Sequence, residues 1–351
     1  MAILAKDIAN ALGISPTTVS MVFNNHPGIS DETREKVLKA AADMGYTKHL
    51  EKSAGSQVKH IQLILYKRHG NVVADTPFFA MLTQGIDAQV KKRGYQLLIT
   101  YFYQNESIPE QIRSLQATNC AGIILLATEM HTVDLRPFEK LSIPIVILDN
   151  CFPFKNYDSI QINNIQGARL AVQHLIDCGH TEIGYLSSRV EIRNFRERME
   201  GYLKAIRTIS VPNHSSKRII KIAPTTEEAF TDMEAYLSST SGPMPTAFFA
   251  DNDIIAAACM RALKRAGYRI PEDISLVGFD NVPICEALDP PLSTIDVPKS
   301  TLGKLAVNQL VSLINGETDG VTTKIEVSTG LVKRDSVRTL HPGKPAVSAR
   351  A

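Results

Sequence analysis

From residue 61 to about residue 335, short apolar runs alternate with longer stretches in which apolar positions recur every three or four residues. The short runs predict strands at 61–66, 95–101, 121–126, 143–148, 183–186, 247–250 and 275–278. The helical spacing predicts helices over 78–93, 107–117, 165–178, 196–207, 226–238, 253–266 and 299–315. Such alternation argues for parallel sheets covered by helices on both faces. The strands are too many for one sheet of this kind. Two similar lobes with a cleft between them fit better.

Residues 1–46 carry a different pattern. A short first helix with Ile8, Ala9 and Leu12 on its apolar side ends at Gly13, which permits the left-handed turn. Ser15 then stands at an N-cap position and Pro16 at the first helical position, where its missing N–H costs nothing. Val19 and Val22 are spaced to pack inward, while Thr17, Thr18, Ser20 and Met21 occupy the rest of that helix. Ser30 caps a third helix with acidic Asp31 and Glu32 in its first turn and an apolar stripe of Val37, Leu38, Ala41 and Met44. Spacing alone fits two things equally: a surface helical hairpin, or a helix-turn-helix whose second helix enters the major groove. Residues 47–60 are polar with a Ser-Ala-Gly-Ser centre, a linker in composition, and residues 341–351 have no apolar period and are expected to be a disordered tail.

Composition narrows the class. Apolar residues make up 44% and charged residues 21% of 351, as in a soluble globular protein with room for two or three domains. No apolar run is long enough to span a membrane, and no signal-peptide pattern opens the chain. Cys120, Cys151, Cys178, Cys259 and Cys285 are widely scattered, which suits reduced thiols in the cytoplasm; no histidine or cysteine spacing suggests a metal, and no cofactor is expected.

The order of several short motifs then adds a resemblance. Lys6-Asp7-Ile8-Ala9, Gly13-Ile14-Ser15, Thr18-Val19-Ser20 and Asn24 are followed by Ile29-Ser30-Asp31-Glu32-Thr33-Arg34-Glu35-Lys36-Val37 and Gly45-Tyr46. Further on come Gly179-His180, Arg198-Met199-Glu200-Gly201-Tyr202, Asp251-Asn252-Asp253, Val277-Gly278-Phe279-Asp280-Asn281, Pro291-Leu292-Ser293-Thr294-Ile295 and Leu331-Val332-Lys333-Arg334-Asp335-Ser336. This ordered set resembles the lactose-repressor (LacI/GalR) family of bacterial transcription regulators over about residues 3–338. The resemblance implies an all-α helix-turn-helix headpiece plus an α/β two-lobed core like a periplasmic binding protein of type I. It also implies a homodimer that reads a pseudo-palindromic operator. The implied division is a headpiece at 1–46, a hinge at 47–60 and a core at 61–340. The first lobe would take about 61–160 plus 291–320, and the second about 161–290 plus 321–338.

By position in the family pattern, Pro16, Thr17 and Met21 match base-reading places, and Ser15, Ser20, Asn24 and Ser30 match phosphate-contacting places. Two departures stand out. Residues 1–52 carry six basic and six acidic side chains, so phosphate attraction cannot come from a basic surplus. The hinge also departs from the family's usual minor-groove wedge: without a gap Gly55 falls at that position, so either Leu50 takes the role in another register or the operator is bent less.

Four residues match the family's effector-holding places, Asp149, Arg198, Asn252 and Asp280, and Phe78 and Phe79 at the start of the first core helix are expected to supply an apolar wall. The four polar ones lie beyond expected strand ends, where open α/β sheets bind ligands. Two carboxylates, an amide and a guanidinium offer acceptors, donors and a bidentate fork for sugar hydroxyls. The resulting expectation is a repressor of sugar uptake or catabolism genes, controlled by a sugar. A purine-type corepressor is the alternative within the family. A sugar-processing enzyme is a distant third, because the chain offers no nucleophile–base order, phosphate loop or metal cluster.

Overall fold

A computed structural model describes residues 5–23, 29–46, 59–73, 76–208 and 219–340. It divides into two compact units, 1–59 and 60–351.

In the first unit three helices, Ala5–Leu12, Pro16–Phe23 and Asp31–Asp43, enclose a small core. Ile8, Ala9, Val19, Val22, Phe23, Val37, Ala41 and Tyr46 are buried, and the Phe23 and Tyr46 rings stack at 5.4 Å. Gly13 has φ 64°, and the Ile14 N–H returns to the Ala9 carbonyl at 3.1 Å, so the first helix ends on the expected left-handed turn. Ser15 Oγ accepts the Thr18 N–H at 3.0 Å and Ser30 Oγ accepts that of Thr33 at 3.3 Å. Both expected caps therefore start their helices. Most of the hinge, the expected tail and Asn24 lie outside the described residues.

The second unit holds two parallel sheets. The first contains β1 (His60–Lys67), β2 (Gln96–Tyr103), β3 (Gly122–Leu126), β4 (Ile145–Leu148), β5 (Asp158–Ile162) and β11 (Lys324–Val327), in the order β11-β5-β4-β3-β1-β2. The second contains β6 (Ile183–Ser188), β7 (Ile219–Ile222), β8 (Ala247–Ala250) and β9 (Ser275–Val277), in the order β7-β6-β8-β9. A short antiparallel pair, β10 (Thr294–Asp296) with β12 (Gly330–Val332), completes the strands described. Central strands such as β3 and β4 are apolar at every position and wholly buried, as parallel strands covered on both faces must be.

The expected split between lobes needs one correction. Residues 321–338 do not all follow the second lobe, because β11 pairs in parallel with β5 at the edge of the first sheet, Ile325 opposite Ile160. Its Lys-Ile-Glu-Val alternation half-buries one face and exposes the other, which is why no continuous apolar run marked it. After β11 the chain does return to the second lobe: Ser336 Oγ donates to the Leu276 carbonyl at 2.6 Å.

Candidate functional site

Arg198 lies in the helix Arg193–Ile206, which starts three residues earlier than its apolar period suggested and puts Arg198 in the second turn. The residue is 3% exposed. Its Nε donates to Asn164 Oδ1 at 3.0 Å, its Nη1 to the Asp251 carbonyl and its Nη2 to Asp280 Oδ1 at 3.2 Å. The guanidinium also lies 3.7 Å from the centre of the Phe279 ring. A buried cation is thus met on every edge and one face, the condition under which burial is tolerable.

Asp149 ends β4 and Asp280 follows β9. Both have positive φ, 61° and 107°. Such conformations are strained for side chains other than glycine, least so for Asp and Asn, and they cluster where a site needs a side chain re-aimed. Asp149 accepts from Thr128 Oγ1 at 2.6 Å and from Asn194 Nδ2 at 3.0 Å. Burial nevertheless pushes its carboxyl up to about 6. Burial raises Asp280 as well, opposed by Arg198 and by Lys299, whose ammonium donates to the Asp280 carbonyl.

The Asp251-Asn252-Asp253 run divides its work. Asp251 accepts from the Tyr185 hydroxyl and, at 2.6 Å, from the Ser188 N–H. Asn252 caps the helix Asp253–Arg265 by accepting the Ile255 N–H at 2.9 Å. Asp253 accepts from Thr294 Oγ1 at 2.5 Å and from the Val282 N–H at 3.0 Å. Gly278 leaves room for that contact, since a Cβ there would come within 2.2 Å of Asp253 Oδ1. The glycine of the Val-Gly-Phe-Asp motif is explained by this close approach.

Phe78 and Phe79 open the helix Pro77–Lys92, which Thr76 caps, and their rings meet edge to face at 5.2 Å. All six residues expected in the cleft line one cavity between the lobes: Phe78, Phe79, Asp149, Arg198, Asn252 and Asp280. The sequence pattern did not pick out Thr76, Thr128, Asn194 and Phe195 on the same wall. Thr128, two residues past β3, follows the strand-end rule that found Asp149 and could have been caught by it. Arg196, two residues before Arg198, is exposed and lines a separate groove of about 540 Å³. The shared cavity measures only about 20 Å³, room for a water but not for a sugar ring. A ligand of that size requires the lobes to part.

In the first unit, Ser15, Pro16, Thr17 and Ser20 are exposed along one helix and Met21 is half-buried, with Ser30 exposed at the next helix start. Small side chains at the open first turn of a helix suit approach to a nucleic-acid groove.

Residues 5–49 match the bacterial regulatory proteins of the lacI family, and residues 172–337 match a periplasmic binding protein-like domain. The PurR transcriptional repressor of Haemophilus influenzae is 30% identical over 341 residues, covering 95% of this chain and 98% of its own. The chain belongs to the lacI family. The ribose operon repressor of the same organism is 31% identical over 339 residues, with the same coverage of both chains. The lac repressor dimer bound to operator and an anti-inducer shares the fold, with a TM-score of 0.70 at 24% identity over 96% of this chain and all of that one. This lacI-family chain is accordingly a DNA-binding transcriptional regulator and not an enzyme. Among the described residues no helix is long and apolar enough to cross a membrane, and no His, Cys, Asp and Glu cluster could hold a metal ion.

Proposed function

We propose that this regulator is a repressor of sugar uptake or breakdown genes, and that a sugar in the cleft between its lobes weakens its grip on a pseudo-palindromic operator. The observation that carries the sugar reading is the pair of re-aimed carboxylates, Asp149 and Asp280, on one small cavity with Arg198 and Asn252. Sugar hydroxyls donate to carboxylates from several directions, whereas a flat base offers few in-plane donors. Phe78 and Phe79 supply the apolar wall for a ring face.

A purine that tightens operator binding is the second reading. It draws support from the three phenylalanines on the cavity, Phe78, Phe79 and Phe195, and from the similarity to PurR. Both readings use one mechanism. A ligand that prefers one lobe arrangement shifts the population towards it, and the shift changes headpiece spacing across two half-sites.

The second copy would pair through β2, an edge strand whose Ile99 and Tyr101 are 45% and 49% exposed and share a groove with Met81. An exposed apolar edge of this kind is a place for a partner strand or helix. On DNA, Thr17 and Met21 would read base edges, and Ser15, Ser20, Asn24 and Ser30 would hold phosphates.

The test begins with selection of an operator from random DNA. Complexes are then titrated with D-ribose, D-glucose, cellobiose, hypoxanthine and guanine. The expected result is release by a sugar; a purine that strengthens binding, with no sugar effect, overturns the sugar reading.

A further inference from the structure

Glu129 lies three residues beyond β3 and is 1% exposed, yet it takes no part in the cavity wall. Its two carboxylate oxygens collect five backbone N–H groups from a single loop. Oε2 accepts from Arg68 at 2.9 Å, His69 at 3.2 Å and Gly70 at 2.8 Å. Oε1 accepts from Val72 at 3.0 Å and Val73 at 3.3 Å. Hydrogen bonds to an ionised acceptor are the strong kind, and five of them compensate a charge held away from water.

The guanidinium of Arg68 is engaged elsewhere. Arg68 Nη1 bonds Asp134 at 2.6 Å. His69 Nδ1 lies 3.4 Å from Oε1, beside the five backbone donors, and 3.3 Å from the Asn71 nitrogen. The loop's shape is therefore written by one carboxylate acting on its backbone.

That shape matters across the cleft. Val72, at the end of the loop, forms a buried apolar cluster with Ile192 and Phe195 at the start of the helix Arg193–Ile206. The same three side chains line the cavity. One carboxylate of the first lobe thus sets an apolar seal against the second lobe without being part of that cluster itself.

We propose that Glu129 is a positioning residue for lobe closure: it holds loop 68–73 in the form that lets Val72 seal the cleft against Ile192 and Phe195, and so governs how readily the cleft opens. The link to ligand exchange rests on the reading that the effector occupies this cleft; the closure itself does not.

Hydrogen exchange on the full-length protein without ligand tests it. The amides of residues 193–195 are first-turn amides with no intrahelical acceptor, and the helix has no side-chain cap. Asn194 and Phe195 are buried and Arg193 half-buried, so the protection expected of these amides is that of burial beside the cleft. Glu129→Gln should speed exchange at 68–73 and also at 193–195 by about five-fold or more, the factor that a small loss of closure energy produces. Val72→Ala should speed exchange at 193–195 while loop 68–73 stays protected. If Glu129→Gln affects only the loop, or if Val72→Ala leaves 193–195 unchanged, the proposal fails. Because no ligand is present, a wrong effector reading leaves this outcome intact.

Discussion

Asn194 donates its side-chain amide to Asp149 at 3.0 Å, joining the second lobe directly to the end of β4 in the first. The bond is one link in a buried series. Thr128 donates to Asp149, Asn164 donates to Asn194 Oδ1 at 3.1 Å, and Arg198 reaches from Asn164 to Asp280. The protein's own amides and guanidinium satisfy the two carboxylates that a ligand's hydroxyls would otherwise meet. Any ligand that meets these carboxylates must replace these bonds, so its affinity is a difference between two sets of contacts and not a sum of new ones.

Arg198→Ala should separate DNA binding from ligand response. The headpiece is a unit of its own, so operator affinity without effector should stay within a few-fold of the parent. The ligand response should vanish, because Asp280 loses its guanidinium and the cavity its fork. Removing one member of a buried pair also destabilises the core by roughly 3 kcal/mol. Urea unfolding reads the stability, and operator titration with the effector reads the response. A variant that still responds with unchanged ligand affinity would show that the cleft has been misassigned.

Acid groups buried in the core set a pH dependence. Burial holds Asp253 at about 7 and Asp251 and Asp149 at about 6, all above the ordinary 3.8. Between about pH 4 and 7 the folded chain therefore binds more protons at these sites than the unfolded one. Their contribution is fully present below about pH 4 and is lost as pH rises through 6 to 7. His180 runs the other way: burial lowers it from 6.5 to about 4, so its contribution is present above 6.5 and is lost as pH falls towards 4. Asp253→Asn isolates one component. The stability of the parent minus that of the variant should shrink by a few kcal/mol between about pH 4.5 and 7.5, since each tenfold change in proton affinity is worth about 1.4 kcal/mol. A difference independent of pH would mean that Asp253 titrates normally.

Much of this was legible in the chain because the decisive positions sit where local rules are strict. Ser15, Ser30 and Gly13 announce helix ends through capping and left-handed geometry, and the structure uses all three that way. The apolar runs of β3 and β4 announce buried parallel strands, and strand ends then point to Asp149. What stayed hidden depends on distant partners. The strands β5 and β11 alternate polar and apolar residues and pair across more than 150 positions, so neither stands out alone. Asn194 and Glu129 look like ordinary surface polar residues, and only the fold brings them to Asp149 and to the loop 68–73. Arg196 and Arg198 are two residues apart on one helix, and its register alone decides that the second is buried and the first is not.

On the headpiece, Thr17 and Met21 should govern base preference. Thr17 is exposed on the first turn of its helix and Met21 is half-buried one turn later, so both can reach a groove floor. Met21 offers only apolar contact, which favours a thymine methyl. Exchanging Thr17→Ala and Met21→Gln together should move the preferred base at one or two operator positions, each worth about 1–3 kcal/mol. Selection from random DNA with parent and variant compares them; an unaltered preference removes both residues from base reading.

Pairing should matter more than either headpiece alone. Residues 1–52 have no net basic charge, six against six, so a single headpiece gains little from phosphate attraction. Two linked headpieces convert the second contact into an intramolecular one, which multiplies affinity by about 10²–10⁴ without new contacts. On the pairing proposed above, the groove beside β2 is where it would be broken, since Ile99 and Tyr101 project from one face of an edge strand and Lys67 lies 4.5 Å over the Tyr101 ring. Ile99→Asp buries a carboxylate in any apolar interface formed there, and Tyr101→Asp would do the same beside it. Sedimentation should show the Ile99→Asp chain as a monomer with unchanged core stability, because Ile99 contributes little to the core it leaves. Its affinity for a two-half-site operator should fall at least about ten-fold, while affinity for an isolated half-site stays the same. A variant that remains dimeric, or a monomer that holds the full operator as tightly as the parent, would place the pairing surface elsewhere.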